Sequence, residues 1–167
     1  MPHPFIPDMK FEKYSDITPD FLISQGVSAL LIDIDNTLAP YEQPSPDAGH
    51  FEWLSSLASA GISCALVSNN GPERVSLFAE KLGIPALPDC GKPRTKHLRR
   101  VLKELGVSPE NAAILGDQIF TDCLAARRMG MRAYIVPPIK DKRTLFFRFK
   151  RALEKPFMKR CRVYDGK

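Results

Sequence analysis

No stretch of this 167-residue chain approaches the ~18 uninterrupted apolar residues that a membrane-spanning helix requires. The opening MPHPFIPDMKFEK mixes proline and acid and has no apolar h-region, so no secretory signal is expected. Cysteines are few and scattered: Cys64, Cys90, Cys123 and Cys161 form no CxxC pair and no Cys/His group. That spacing argues against a structural zinc and fits reduced thiols in the cytoplasm better than a disulfide framework. Internal repeats and low-complexity stretches are missing too. With 44% hydrophobic and 26% charged residues, the chain is neither disordered nor collagen-like. What remains is one domain with a real core.

Charge is unevenly placed. Residues 140–167 hold 11 Lys/Arg against 3 Asp/Glu, a net +8, while residues 1–139 carry a net −3. The chain therefore divides into a mildly acidic body, 1–139, and a basic extension, 140–167. Such a tail suits an anionic partner, whether membrane, nucleic acid or ribosome. The plain alternative is a solvated terminus that aids solubility.

Short apolar runs alternate with helical patterns. Residues 29–34, 62–67, 84–87, 112–115 and 132–136 are rich in Ile, Leu and Val and bounded by Gly, Ser or Pro. They read as strands buried on both faces, as in a parallel sheet. Between them lie amphipathic helices. Ser45-Pro46 reads as the cap and first turn of one that Gly61 stops; Pro72 and Gly83 bracket the next. A third covers 94–105 and a fourth 120–129. The alternation predicts a doubly wound, Rossmann-like three-layer α/β sandwich with a parallel sheet of about five strands.

Two of these strands end in acid. LLIDIDNTLAP (residues 30–40) delivers Asp33 and Asp35 at its C-terminal end, on one side of an extended chain. Ligands bind at that end of parallel strands, and two carboxylates so close call for a cation or a shared proton. AAILGDQIFTD (residues 112–122) repeats the pattern with Asp117 and Asp122. Helix capping alone would account for Asp122, but not for acids ending two separate strands. Converging acids suit Mg²⁺, which takes oxygen ligands alongside phosphate. Ser68-Asn69-Asn70 ends a third strand at a helix start, which is either a phosphate cradle or a simple cap. Lys92, held between Gly91 and Pro93, can meet a phosphate oxygen as a point charge.

These four pieces, in this order, resemble the haloacid dehalogenase superfamily of phosphatases. DIDNTL (Asp33, Asp35, Thr37), Ser68, Lys92 and GDQIFTD (Asp117, Asp122) match its four motifs in turn, over roughly residues 28–136. FEKYSDITPDFLISQGVSALLIDIDNTL, with Asn after the second aspartate, is similar to the YqeG-like branch of subfamily IIIA, which includes phosphatidylglycerophosphate phosphatases. The resemblance implies that Asp33 attacks phosphorus and that Asp35 protonates the leaving oxygen and then activates water. It also implies Mg²⁺ held by Asp33, the Asp35 backbone carbonyl and Asp117, with Asp122 in support. Thr37, Ser68, Asn69 and Lys92 would bind phosphate. Neither place where this superfamily inserts a cap has residues to spare, so the site is expected to be capless and open unless oligomerisation covers it.

The expected function is a Mg²⁺-dependent phosphomonoesterase working on a lipid phosphate such as phosphatidylglycerophosphate. Two alternatives stay open: a soluble phosphatase of small metabolites, and a nucleic-acid- or ribosome-associated protein with a vestigial site. The absence of aromatic-rich RNA-binding strands argues against nucleic acid. Residues 141–155 read as a helix with Leu145, Phe146, Phe149, Ala152 and Leu153 on one stripe and cations outside it. The stripe could dock on the body. Phe147, among the cations, would then lack a partner, which favours a helix lying on the inner face of a membrane. All four motifs lie upstream, so loss of the tail is expected to spare soluble substrates. His3 is expected in a disordered terminus, and His50 and His97 in surface or packing roles.

Overall fold

The computed structural model describes residues 3–140 and 144–166. Six strands form one parallel sheet: β1 (Met9–Lys10), β2 (Ala29–Ile32), β3 (Ser63–Val67), β4 (Ala86–Leu87), β5 (Ala112–Gly116) and β6 (Arg132–Ile135). Their order is β1-β6-β5-β2-β3-β4. The helices are α1 (Pro19–Ser24), α2 (Ala48–Ser59), α3 (Pro72–Leu82), α4 (Lys96–Leu105), α5 (Leu124–Met129) and α6 (Leu145–Met158).

The apolar run of β2 is continuous because helices cover both faces of the sheet. Its side chains alternate. Leu30 and Ile32 join a core with Trp53, Leu57 and Phe78 of α2 and α3. Ala29 and Leu31 join the opposite core with Leu98, Leu102 and Ala126 of α4 and α5. This is the expected three-layer sandwich. The chain runs β2-β3-β4 toward one edge, then crosses back to place β5 on the other side of β2. The order reverses between β2 and β5, which opens a crevice at their carboxyl ends. No cap domain stands over it among the described residues.

All five expected strands are present. The unexpected one, β1, is two residues long and partly buried, too short to leave a periodic signal. It pairs with β6, and its free edge is closed by the chain's end: Lys10 N–H donates to Arg162 O at 2.7 Å and Tyr164 N–H to Lys10 O at 2.8 Å. His3, expected in a disordered terminus, is likewise placed against the body, its ring 5.7 Å from that of Phe157.

Helix ends differ from expectation at several points, α4 for instance starting at Lys96, and two of the differences bear on the site. Asp47, not Ser45, caps α2: its carboxylate accepts the His50 N–H at 3.3 Å and its own N–H donates to the His50 ring at 3.0 Å. That ring is buried and also bonds the Leu38 carbonyl at 2.9 Å, a packing role that ties α2 to the turn after β2. The expected helix 120–129 is instead a wide π turn, Ile119–Cys123, followed by α5. Side chains of Asp122 and Glu154 take the amides of Gln118, Ile119 and Phe120, which removes the need for a tight first turn. Such turns recur at functional sites. The four cysteines are buried and form no disulfide, and burial pushes the Cys64 thiol up to about 12.

Candidate active site

The chain leaves β2 at Asp33, whose N–H still bonds the Leu115 carbonyl of β5 at 2.9 Å, and then turns sharply. Asn36 sits at φ 63, a left-handed conformation that Asn tolerates better than most residues. The turn buries Asp33, Asp35 and Thr37 at the crevice. Asp33 Oδ1 accepts from Lys92 Nζ at 2.8 Å, and Oδ2 accepts the Thr37 hydroxyl at 3.2 Å. Asp35 lines the same cavity as Asp33 but meets other partners. Its oxygens accept Arg74 Nε at 3.0 Å and Asn70 Nδ2 at 2.6 Å, and Arg74 also donates to the Pro40 and Gln43 carbonyls.

From β3, Ser68 points its buried oxygen at the Asn70 N–H, which it accepts at 3.0 Å. The Asn69 side chain, at the cavity wall, clamps the Lys92 backbone: Oδ1 accepts Lys92 N–H at 2.8 Å and Nδ2 donates to Lys92 O at 2.9 Å. Of the expected phosphate-binding side chains, Asn69 thus also holds the Lys92 backbone and Thr37 bonds Asp33. Lys92 is 5% exposed and its three donors go to Asp33, Asp122 at 2.6 Å and the Val67 carbonyl at 2.8 Å. Its ammonium is desolvated, but the two carboxylates outweigh that cost and hold its pKa above the usual lysine value.

Asp117 and Asp122 arrive on β5 and the π turn. One oxygen from each of Asp33, Asp117 and Asp122 lies within 4.8 Å of the others, and all three residues are buried. Burial pushes Asp33 up to about 8, with Asp122 and Asp117 adding to the rise and Lys92 opposing it. Burial also lifts Asp117 to about 6, with Asp122 adding and Arg151 opposing. Repulsion of this kind is what a divalent cation relieves. Asp117 Oδ1 is buried with no hydrogen-bond partner among the described residues, which leaves its lone pairs open to a cation. An all-carboxylate donor set suits a hard cation such as Mg²⁺. Gly116 is required because a Cβ there would lie 2.2 Å from the Asp122 carboxyl carbon.

The tail helix reaches this site, which the motif order gave no reason to expect. Arg151 of α6 pairs with Asp117 Oδ2 and donates to its carbonyl at 2.6 Å. Glu154, 2% exposed, accepts Ile119 N–H at 3.0 Å and Arg151 at 3.0 Å. Lys150 bonds Gln118, and Phe147 and Lys150 line the same cavity as Asp33, Asp35, Ser68 and Lys92. Phe147 therefore has a place against the body, contrary to expectation, and removing the tail would disturb Asp117. Asp141–Arg143, the start of the expected helix, lie outside the described residues. Sequence reasoning missed Arg74, Arg151 and Glu154, and the bond of Asn70 to Asp35. Glu154 did leave a trace, as the one acid within the Leu145–Met158 helix.

A family model described as haloacid dehalogenase-like hydrolase matches residues 16–130. The Bacillus subtilis (strain 168) protein named "Probable phosphatase YqeG" is 33% identical over 151 residues, covering 90% of this chain and 88% of that one. The glyceraldehyde 3-phosphate phosphatase of Pyrococcus furiosus is 28% identical over 115 residues, covering 64% of this chain and 47% of its own length. In fold, a subfamily III A hydrolase of the haloacid dehalogenase superfamily from Legionella pneumophila superposes with a TM-score of 0.54 at 21% identity, covering 68% of this chain and 69% of that structure.

Proposed function

The chain belongs to the haloacid dehalogenase-like hydrolases and is a phosphatase of that family; from that premise we propose that it is a Mg²⁺-dependent phosphomonoesterase acting on a lipid phosphate through an aspartyl-phosphate. The observation that carries the reading is the convergence of Asp33, Asp117 and Asp122 within 4.8 Å, beside the buried Lys92 ammonium. Asp33, Asp117 and the Asp35 carbonyl would hold the cation, with Asp122 behind them. Bound there, Mg²⁺ supplies positive charge for the phosphoryl oxygens.

The chain's own residues do the rest. Asp33, its carboxylate aimed by Thr37, attacks phosphorus while the ester oxygen leaves. Asp35 gives that oxygen a proton, so the products of the first step are the free alcohol and phosphorylated Asp33. Asp35, now a carboxylate, takes a proton from water as it attacks the acyl phosphate, releasing phosphate and restoring Asp33. Splitting hydrolysis this way makes each step easier. Lys92 faces the equatorial oxygens, where positioning and electrostatics supply most of the catalysis.

The cavity supports the substrate class. At about 250 Å³ it falls below the ~300 Å³ at which small-molecule pockets begin, and most of its lining is polar. It takes a phosphoryl group and a short stem, and no cap stands over it among the described residues. The body of the substrate stays outside, as with a headgroup phosphate such as that of phosphatidylglycerophosphate. A soluble sugar phosphate, the substrate class in the name of the Pyrococcus relative, is the competing reading. Phosphate release with Mg²⁺ from phosphatidylglycerophosphate in mixed micelles should exceed release from glyceraldehyde 3-phosphate and aryl phosphates. A preference for the soluble esters would reverse the assignment of substrate but keep that of chemistry.

A further inference from the structure

Helix α6 is docked with its charged face inward. Phe147, Lys150, Arg151, Glu154 and Phe157 share one side, at the spacing expected of a single helix face, and that side meets the π turn, Asp117 and the cavity. The other side holds Leu145, Phe146, Phe149 and Leu153, which are 81, 71, 64 and 48% exposed. A surface helix ordinarily does the reverse. Four large apolar side chains grouped on one outward face call for an apolar medium there.

Charge selects the medium. Arg148 and Lys155 border the stripe, Lys159 and Arg160 follow it, and all four are exposed. The helix's one acid, Glu154, is buried on the inner side. Apolar side chains bordered by cations, with no outward acid, are the pattern of a helix lying in the headgroup region of an anionic bilayer. No helix among the described residues is long and apolar enough to cross a membrane.

We propose that α6 is a membrane-docking helix built into the wall of the active site, with its Leu145/Phe146/Phe149/Leu153 face seated in an anionic leaflet. A second copy of the chain would also cover an apolar face, but like cations would then meet across the contact. The inner face of the same helix lines the cavity through Phe147 and Lys150, so docking brings the mouth within about one helix diameter, ~10 Å, of the stripe's plane. That is the depth at which headgroup phosphates lie. The inference deepens the lipid-phosphate reading and rests on it only for what the site does once docked.

The test uses the full chain, because α6 also holds Asp117. Wild type and Leu145→Glu/Phe149→Glu are compared in co-sedimentation with phosphatidylglycerol/phosphatidylcholine vesicles and with phosphatidylcholine vesicles. Wild type should bind the anionic vesicles and not the neutral ones, and the variant should bind about tenfold less or weaker still. Thermal melting and Mg²⁺-dependent aryl phosphate hydrolysis should be unchanged, since both side chains point away from the site. Leu153→Glu serves as an independent variant of the same face should the double variant melt early. Equal vesicle binding by wild type and folded variants, or none by wild type, overturns docking. So does a wild-type dimer that the substitutions split without altering vesicle binding, or a substitution-sensitive affinity for RNA alone. The two readings fail separately. Anionic binding without hydrolysis of any phosphomonoester sustains docking and sinks the phosphatase reading, whereas aryl phosphate hydrolysis without vesicle binding does the opposite.

Discussion

Gly116→Ala puts the tightest contact of the site under test. The added Cβ would fall 2.2, 2.3 and 2.5 Å from the Cγ, Oδ2 and Cβ of Asp122. Carbon contacts settle near 3.5–4.0 Å, so Asp122 must retreat by roughly 1.3–1.8 Å. It has no room to do so freely, since Oδ1 holds Lys92 at 2.6 Å and Oδ2 holds the Gln118 N–H at 3.2 Å. Separating a buried ion pair costs about 3–5 kcal/mol. At ~2–4 °C per kcal/mol for a domain of this size, the melting temperature should fall by ~6–20 °C. With Asp122 supporting the proposed metal site, Mg²⁺ affinity measured by calorimetry should drop about 10–100-fold. The double variant Gly116→Ala/Asp122→Ala separates the clash from other effects. Without the carboxylate there is nothing to collide with, so the two costs should combine to far less than their sum. A Gly116→Ala protein that melts within about 3 °C of wild type and binds Mg²⁺ normally would refute the reasoning.

Asp33→Asn should keep the fold and lower turnover by several orders of magnitude; retention of more than a tenth of wild-type hydrolysis would rule out Asp33 as nucleophile. Burial raises the Asp33 and Asp117 pKa values in the folded chain, so the stability these groups confer is present below the ordinary carboxylate range and lost as pH rises through the folded values. The metal-free protein should therefore melt lower at about pH 8.5 than at about pH 6, and the rise produced by Mg²⁺ should be larger at the higher pH; a Mg²⁺ effect that shrinks with pH contradicts this. Arg74→Ala frees Asp35 and the Pro40 and Gln43 carbonyls and should cut kcat about 100-fold with less effect on KM, since it misplaces the proton donor; a change confined to KM would instead mark Arg74 as a substrate contact.

What was legible in the sequence follows from how each signal is encoded. Strands covered on both faces must be apolar throughout, so β2, β3, β5 and β6 announce themselves, and their sharp ends locate Asp33, Ser68 and Asp117. The left-handed turn at Asn36 and the close approach at Gly116 lie inside the same motifs. Partners that come from distant parts of the chain leave no such mark. Arg74 meets Asp35 across 39 positions and Arg151 meets Asp117 across 34, and nothing local distinguishes either arginine from a solvated one.

Helix α6 shows the limit most clearly. Periodicity identifies correctly which residues share a face, and the stripe Leu145, Phe146, Phe149 and Leu153 is real. It does not decide which face is buried. Ordinarily that is settled by assuming the body offers an apolar surface, but here the body offers free amides at Ile119 and Phe120 and the Asp117 carboxylate. Leaving those groups unpaired costs more than exposing a few apolar side chains, because a buried polar group without a partner forfeits its full hydration. Arg151 and Glu154 satisfy them, and the helix turns its apolar side outward in consequence. The orientation that completes the site is thus the one that leaves the stripe exposed, so the demand for a docking surface arises from the catalytic centre itself.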